Sequence, residues 1–211
     1  MNMRIIGWTV AACAAVAVVG CATKPTDAEV SAKATQMLKT SFKARGQAGL
    51  DRLDQDETQK LCTEYATAVP PKDVVTKVEK ANFAAIKWPS DGKYLGDWKE
   101  GEKIAQSGRG MTWTDKAGAA NGGNCYNCHQ IDKKEISFGT IGPSLYHYGK
   151  LRGVTDPASP QAQEVVKYTW GKVWNSKAYS ACSNMPRAGH KGILTEAQVR
   201  DIVALLLDPK S

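Results

Sequence analysis

Cys125-Tyr126-Asn127-Cys128-His129 constrains this chain more than any other stretch of its 211 residues, because two thiols and an imidazole at fixed spacing must all meet one object. In a C-x-x-C-H arrangement the thiols add to the vinyl groups of a haem, and the adjacent histidine reaches the iron from the same side. Two other chemistries share C-x-x-C. A structural zinc site wants a second pair of ligands, and the sequence contains no second C-x-x-C and no H-x-x-H. A thioredoxin-type dithiol wants a βαβ setting, yet no period-two alternation predicts a strand. The motif therefore points to one covalently bound haem c, held by Cys125 and Cys128, with His129 as an axial iron ligand.

The N-terminus bears on where such a protein works. Met1-Asn2-Met3-Arg4 carries a single positive charge, and Ile5 to Gly20 is apolar or small throughout, which is the pattern of an export signal over residues 1–21. The apolar run falls short of the ~20 residues that cross a bilayer. A periplasmic location follows. Val18-Val19-Gly20-Cys21 also has the form of a lipobox, in which Cys21 receives lipid and becomes the mature N-terminus. Simple cleavage after Ala22 is the alternative, with Gly20 and Ala22 as the small residues it requires. Cys62 and Cys182 are then left over. In an oxidising compartment two such cysteines form a disulfide, and two buried thiols are the competing reading. The formal charge of +7 favours acidic partners. Lys133-Lys134 and similar clusters are short and come with no nucleic-acid motif, so no nucleic-acid partner is expected.

Helical periodicity dominates the chain between the signal and the motif. Asp27 is placed to cap a helix carrying Val30, Ala34, Met37, Leu38 and Phe42 and ending near Gly46. A second helix is expected over Leu50 to Ala68, and a third after Pro70-Pro71, with Val74, Val75, Val78, Ala81, Ala85 and Ile86 on its apolar positions. Residues 22–95 thus read as a tether and helical extension, and 96–211 as the domain that carries the motif. In that domain a short helix is expected at Asp97 to Ser107 and another near Gln161 to Lys172. Thr195 and Gln198 have capping-box spacing ahead of a helix bearing Val199, Ile202, Val203 and Leu206. The fold class is all-α, with loops through 108–194 that need something to wrap around.

A second axial ligand must offer nitrogen or sulfur, which leaves Met111, His147, Met185 and His190. Met185 stands out. It lies between Asn184 and Pro186 in a polar, turn-forming stretch just before the C-terminal helix, a poor place for a core residue. His147 and His190 are the fallbacks.

These residues resemble class I cytochromes c over roughly residues 96–207, with Gly101 to Ile104 similar to the N-terminal helix, Cys125 to His129 the attachment motif and Met185 the distal ligand. The resemblance implies that Pro143, in Gly142-Pro143-Ser144-Leu145, offers its carbonyl to the His129 imidazole, fixing tautomer and ring orientation. Three segments are closer still to SoxX, the small haem subunit of the SoxAX cytochromes of bacterial sulfur oxidation. They are Cys125 to Gln130, Gly139 to Gly149 and Cys182 to Gly189. That family implies a heterodimer with a SoxA-type haem subunit, which joins thiosulfate oxidatively to a cysteine of the SoxYZ carrier. The small subunit removes electrons to an acceptor cytochrome and is not catalytic alone. The long helical segment 27–87 and Ala188, where a larger residue is expected, depart from that pattern. Two other classes share parts of the site: a free-standing electron carrier, and a haem sensor or peroxidase-like enzyme, which needs a labile sixth position.

Overall fold

The computed structural model describes residues 24–208, so Cys21 and the rest of the segment read as an export signal lie outside the described residues. The chain divides into two compact units, one ending at Ser41 and the other running from Phe42.

The first unit contributes one described helix, α1 (Asp27–Ser41). Its cap is Thr26 rather than Asp27. The Thr26 hydroxyl accepts from the Glu29 N–H at 3.2 Å while the Glu29 carboxylate accepts from the Thr26 N–H at 2.8 Å, a reciprocal capping box. The helix stops at Ser41, five residues before the expected Gly46. Its side chains are exposed, including Val30, Met37 and Leu38.

Among its described residues the second unit holds six α-helices: α2 (Glu57–Glu64), α3 (Lys72–Ala84), α4 (Trp98–Gln106), α5 (Tyr148–Leu151), α6 (Gln163–Trp174) and α7 (Glu196–Leu207). The helix expected over 50–68 is broken. Leu50–Leu53 forms a 3-10 turn, and Asp56 then starts a new helix by accepting from the Gln59 N–H. Pro71 precedes α3, as a residue lacking an N–H can at the head of a helix. α5, a single turn, had no periodic signal.

α4 and α7 cross at the centre. A Cβ on Gly101 would lie 2.2 Å from the Asp201 carbonyl oxygen, so only glycine lets the two backbones come this close. Val199, Ile202, Val203 and Leu205 to Leu207 turn α7 into the floor of the core, and Thr195 caps it with Gln198 as its spacing predicts. On this floor sits Trp170 of α6, fully buried, stacked on Trp174 at 5.6 Å and met edge-on by Tyr94.

Residues 42–95, read as part of an extension, belong to this same compact unit. The reason is polar as much as apolar. The Trp170 indole N–H donates to the Lys87 carbonyl at 3.0 Å. The buried Asn175 side-chain amide donates to the Asn82 carbonyl and side-chain oxygens at 3.1 and 3.0 Å. Arg187 pairs with Asp56, and Cys62 is bonded to Cys182 across 120 residues, with Cα atoms 5.5 Å apart. None of these partners is a neighbour in sequence, so periodicity alone gave no sign of them.

Candidate functional site

The attachment motif hangs from the C-terminal end of α4. The Gly123 N–H donates to the Ile104 carbonyl at 2.8 Å and the Asn124 N–H to the Ser107 carbonyl at 2.9 Å. Asn124 takes a left-handed conformation, φ 49°, which asparagine tolerates better than most side chains. It turns the chain into the 3-10 turn Cys125–Asn127. The Cys125 carbonyl then accepts from both Cys128 and His129 N–H groups, which brings both thiols and the imidazole onto one turn.

Cys125 and Cys128 are not joined to each other. Burial pushes the Cys125 thiol up to about 11, so it stays protonated at neutral pH. A thiolate is disfavoured at Cys125 in this setting. Among the described residues there is also no group of three His, Cys, Asp or Glu side chains able to hold a metal ion.

His129 is held from behind. Its Nδ1 lies 2.7 Å from the Pro143 carbonyl oxygen. A carbonyl can only accept, so Nδ1 carries the proton and Nε2 is left with a free lone pair for a metal. The sequence-predicted pair is thus brought together. Three backbone hydrogen bonds fix the Pro143 carbonyl: Gly139 N–H to Tyr126, Gly142 N–H to Cys128 and Leu145 N–H to Gln130, at 2.7, 2.8 and 2.7 Å. A Cβ on Gly142 would lie 2.1 Å from His129 Cε1, so the imidazole rests directly on that backbone.

Met185 is half-buried and packs, like Cys125, against the central core cluster. Its carbonyl accepts from the fully buried Ser176 hydroxyl at 2.6 Å, and its N–H donates to the Ser183 hydroxyl at 3.1 Å. The other candidates sit in different settings. The Met111 carbonyl accepts from the Arg52 guanidinium. The His190 N–H donates to the Trp174 carbonyl, and burial followed by Arg187 and Lys191 lowers its imidazole pKa. His147 stands at the head of α5 with φ 55° and its ring centroid 3.8 Å from that of Tyr146.

Two buried nitrogens, Trp174 Nε1 and His147 Nδ1, have no hydrogen-bond partner among the described residues. Leaving such a group unsatisfied costs roughly 1–3 kcal/mol, so it is normally paired. The Trp174 indole can only donate, and the carboxylate of a haem propionate is a fitting acceptor. The residues present therefore suit a haem: a paired set of thiols, an imidazole with its tautomer fixed, and a buried donor awaiting an anion.

Sequence reasoning missed the charged support of the Met185 loop. Arg187, with its side chain 5% exposed, pairs with Asp56, and Lys191 reaches the same Asp56 oxygen at 2.7 Å. Burial works to raise the Asp56 carboxyl, but hydrogen bonds from Lys191, the Gln59 N–H and Arg187 outweigh it and hold the group well below the usual 3.8. A carboxyl depressed on folding contributes stability above its unfolded value and loses it as the pH falls. Stability is therefore expected to drop as the pH goes below about 4, because the unfolded chain takes up a proton that folded Asp56 refuses. Urea midpoints measured from pH 6 down to pH 3 check this, and Asp56→Asn is expected to flatten that limb.

A cytochrome c family model matches residues 116–209. An uncharacterized lipoprotein of Aquifex aeolicus (strain VF5) is 38% identical over 158 residues, which cover 74% of this chain and 71% of that protein. That alignment is longer than the span 116–209, so the likeness continues outside it. Among the described residues no helix is long and apolar enough to cross a membrane.

Proposed function

Because the chain belongs to the cytochrome c family, whose domain carries covalently attached haem c, we propose that it is the electron-accepting haem subunit of a SoxAX-type complex. The bound haem supplies an iron that alternates between ferric and ferrous states. Cys125 and Cys128 would hold the group by thioether links, and His129 Nε2 and the Met185 thioether would ligate its iron. Pro143 keeps the His129 proton on Nδ1, and Trp174 is the donor suited to a propionate.

The observation that carries electron transfer is the His129–Pro143 hydrogen bond at 2.7 Å on a ring seated against Gly142. A ligand fixed this way would change little when the iron changes charge, and with Met185 as the second ligand the iron would have no place for substrate. Thiosulfate chemistry belongs to a SoxA-type partner and the SoxYZ carrier in this reading, with electrons leaving to an acceptor cytochrome. Its support is the likeness of the segments Cys125 to Gln130, Gly139 to Gly149 and Cys182 to Gly189. The lipobox ending at Cys21, together with a lipoprotein relative, supports lipid anchoring on the outer side of the cytoplasmic barrier. The same relative favours a second reading, a tethered electron carrier with no fixed catalytic partner.

Affinity purification from the native host grown on thiosulfate separates the two. A second haem-bearing subunit in fixed stoichiometry is the expected result. A lone low-spin monohaem protein would leave the tethered carrier and remove the thiosulfate assignment.

A further inference from the structure

The loop that carries Met185 is pinned on both sides by one short helix. Three residues before Met185, Cys182 is bonded to Cys62 on α2. Two residues after it, Arg187 pairs with Asp56, the N-cap of that helix. The two oxygens of Asp56 divide the work. Oδ1 accepts from the Gln59 N–H at 2.9 Å and so starts α2, while Oδ2 takes Arg187 and, at 2.7 Å, Lys191. Helix α3 adds Glu79, whose carboxylate accepts from the Ala181 N–H at 3.2 Å. From the other side Lys177 donates to the Ser183 carbonyl at 2.8 Å.

We infer that α2 is a clamp on the distal-ligand loop, and that Asp56, Arg187 and the Cys62–Cys182 bridge are positioning residues that govern how often the Met185 thioether leaves the iron. The inference rests on Met185 being the sixth ligand. A loop held at one end swings about that anchor. Held at both ends across five peptide bonds, it has little chain left with which to move, and opening it means breaking the ion pair of the buried Arg187 with Asp56 or a covalent bond. Residues 50–64 then have a function that does not require a partner protein: they set the lability of a ligand more than 120 positions away.

The test is the rate at which imidazole binds the ferric mature holoprotein, since an outside ligand enters only when the methionine has left. Asp56→Asn, and separately Cys62→Ser with Cys182→Ser, are expected to raise that rate by roughly tenfold or more. Asp56→Glu restores the slow rate. Val166→Ala, a buried truncation in α6, lowers global stability without touching the clamp and leaves the rate alone. If Asp56→Asn does not fold, Arg187→Lys keeps the charge but loses the fork and is expected to open the loop as well. Unchanged rates in the clamp variants, or an equal rise in Val166→Ala, overturn the inference. Met185→Ala separates the two levels of the argument. If it binds imidazole fast while the clamp variants stay slow, the clamp alone fails; if it binds no faster than the unaltered protein, the ligand assignment fails and the clamp with it.

Discussion

Mature protein carrying Cys125→Ala together with Cys128→Ala is expected to contain no covalently attached haem. The two thiols stand on and just after a single 3-10 turn, and among the described residues the other two cysteines are consumed by the Cys62–Cys182 bridge. No substitute nucleophile is at hand. Haem staining after denaturing electrophoresis should fall from full to nothing, and the intact mass should drop by one haem. Either single substitution leaves one thioether and a haem that survives denaturation. Stability should fall by at least the ~2–5 kcal/mol that one large core truncation costs, because the apolar surface that packs on the haem in the folded state loses its partner. Haem retained through denaturation in the double variant would show that attachment does not use this motif.

Met185→Ala makes the opposite kind of change. The haem stays covalently bound and the iron becomes high-spin or freely exchangeable, read from the absorption spectrum of the ferric protein. Thioether ligation raises the reduction potential, so the potential should fall on the order of 0.1 V or more, a part of the ~0.8 V that axial ligands span. Met185 is only half-buried and its backbone is held by Ser176 and Ser183, so the loop has little reason to collapse on truncation. An unchanged low-spin spectrum would rule out Met185 and turn attention to His147 or His190.

The site was legible where chemistry is local. A thiol pair followed at once by a histidine can be read in five letters, and the capping box at Thr195 and Gln198 in four. The Pro143 carbonyl was reachable only through a family likeness, since nothing in Gly142-Pro143 itself says which ring lies 2.7 Å away. Helix ends were blurred by capping chemistry. Thr26 outbid Asp27 because its hydroxyl reaches the Glu29 N–H, and Asp56 cut an expected long helix in two for the same reason. What the sequence hid is the long-range polar work. Asp56 and Arg187 are separated by 131 positions, Asn82 and Asn175 by 93, and no periodicity links residues that meet only after the chain has closed. Those contacts make residues 42–95 part of one unit with the attachment motif, where helical periodicity read as an extension.

The order of cysteines along the chain sets a problem for the biogenesis of this protein. In the described residues they come as 62, 125, 128 and 182, and the native bridge joins the first to the last. Synthesis runs from N- to C-terminus, so Cys62 meets Cys125 and Cys128 before its proper partner exists. A bridge formed by nearest arrival would pair the wrong sulfurs and take up a thiol needed for a thioether link. Maturation must therefore hold the middle two thiols reduced until haem is delivered, or reshuffle early mispairings through thiolate exchange, a process of seconds to hours. The protein's yield in a foreign host is then governed by the thiol chemistry of the place where it matures as much as by the stability of the finished fold.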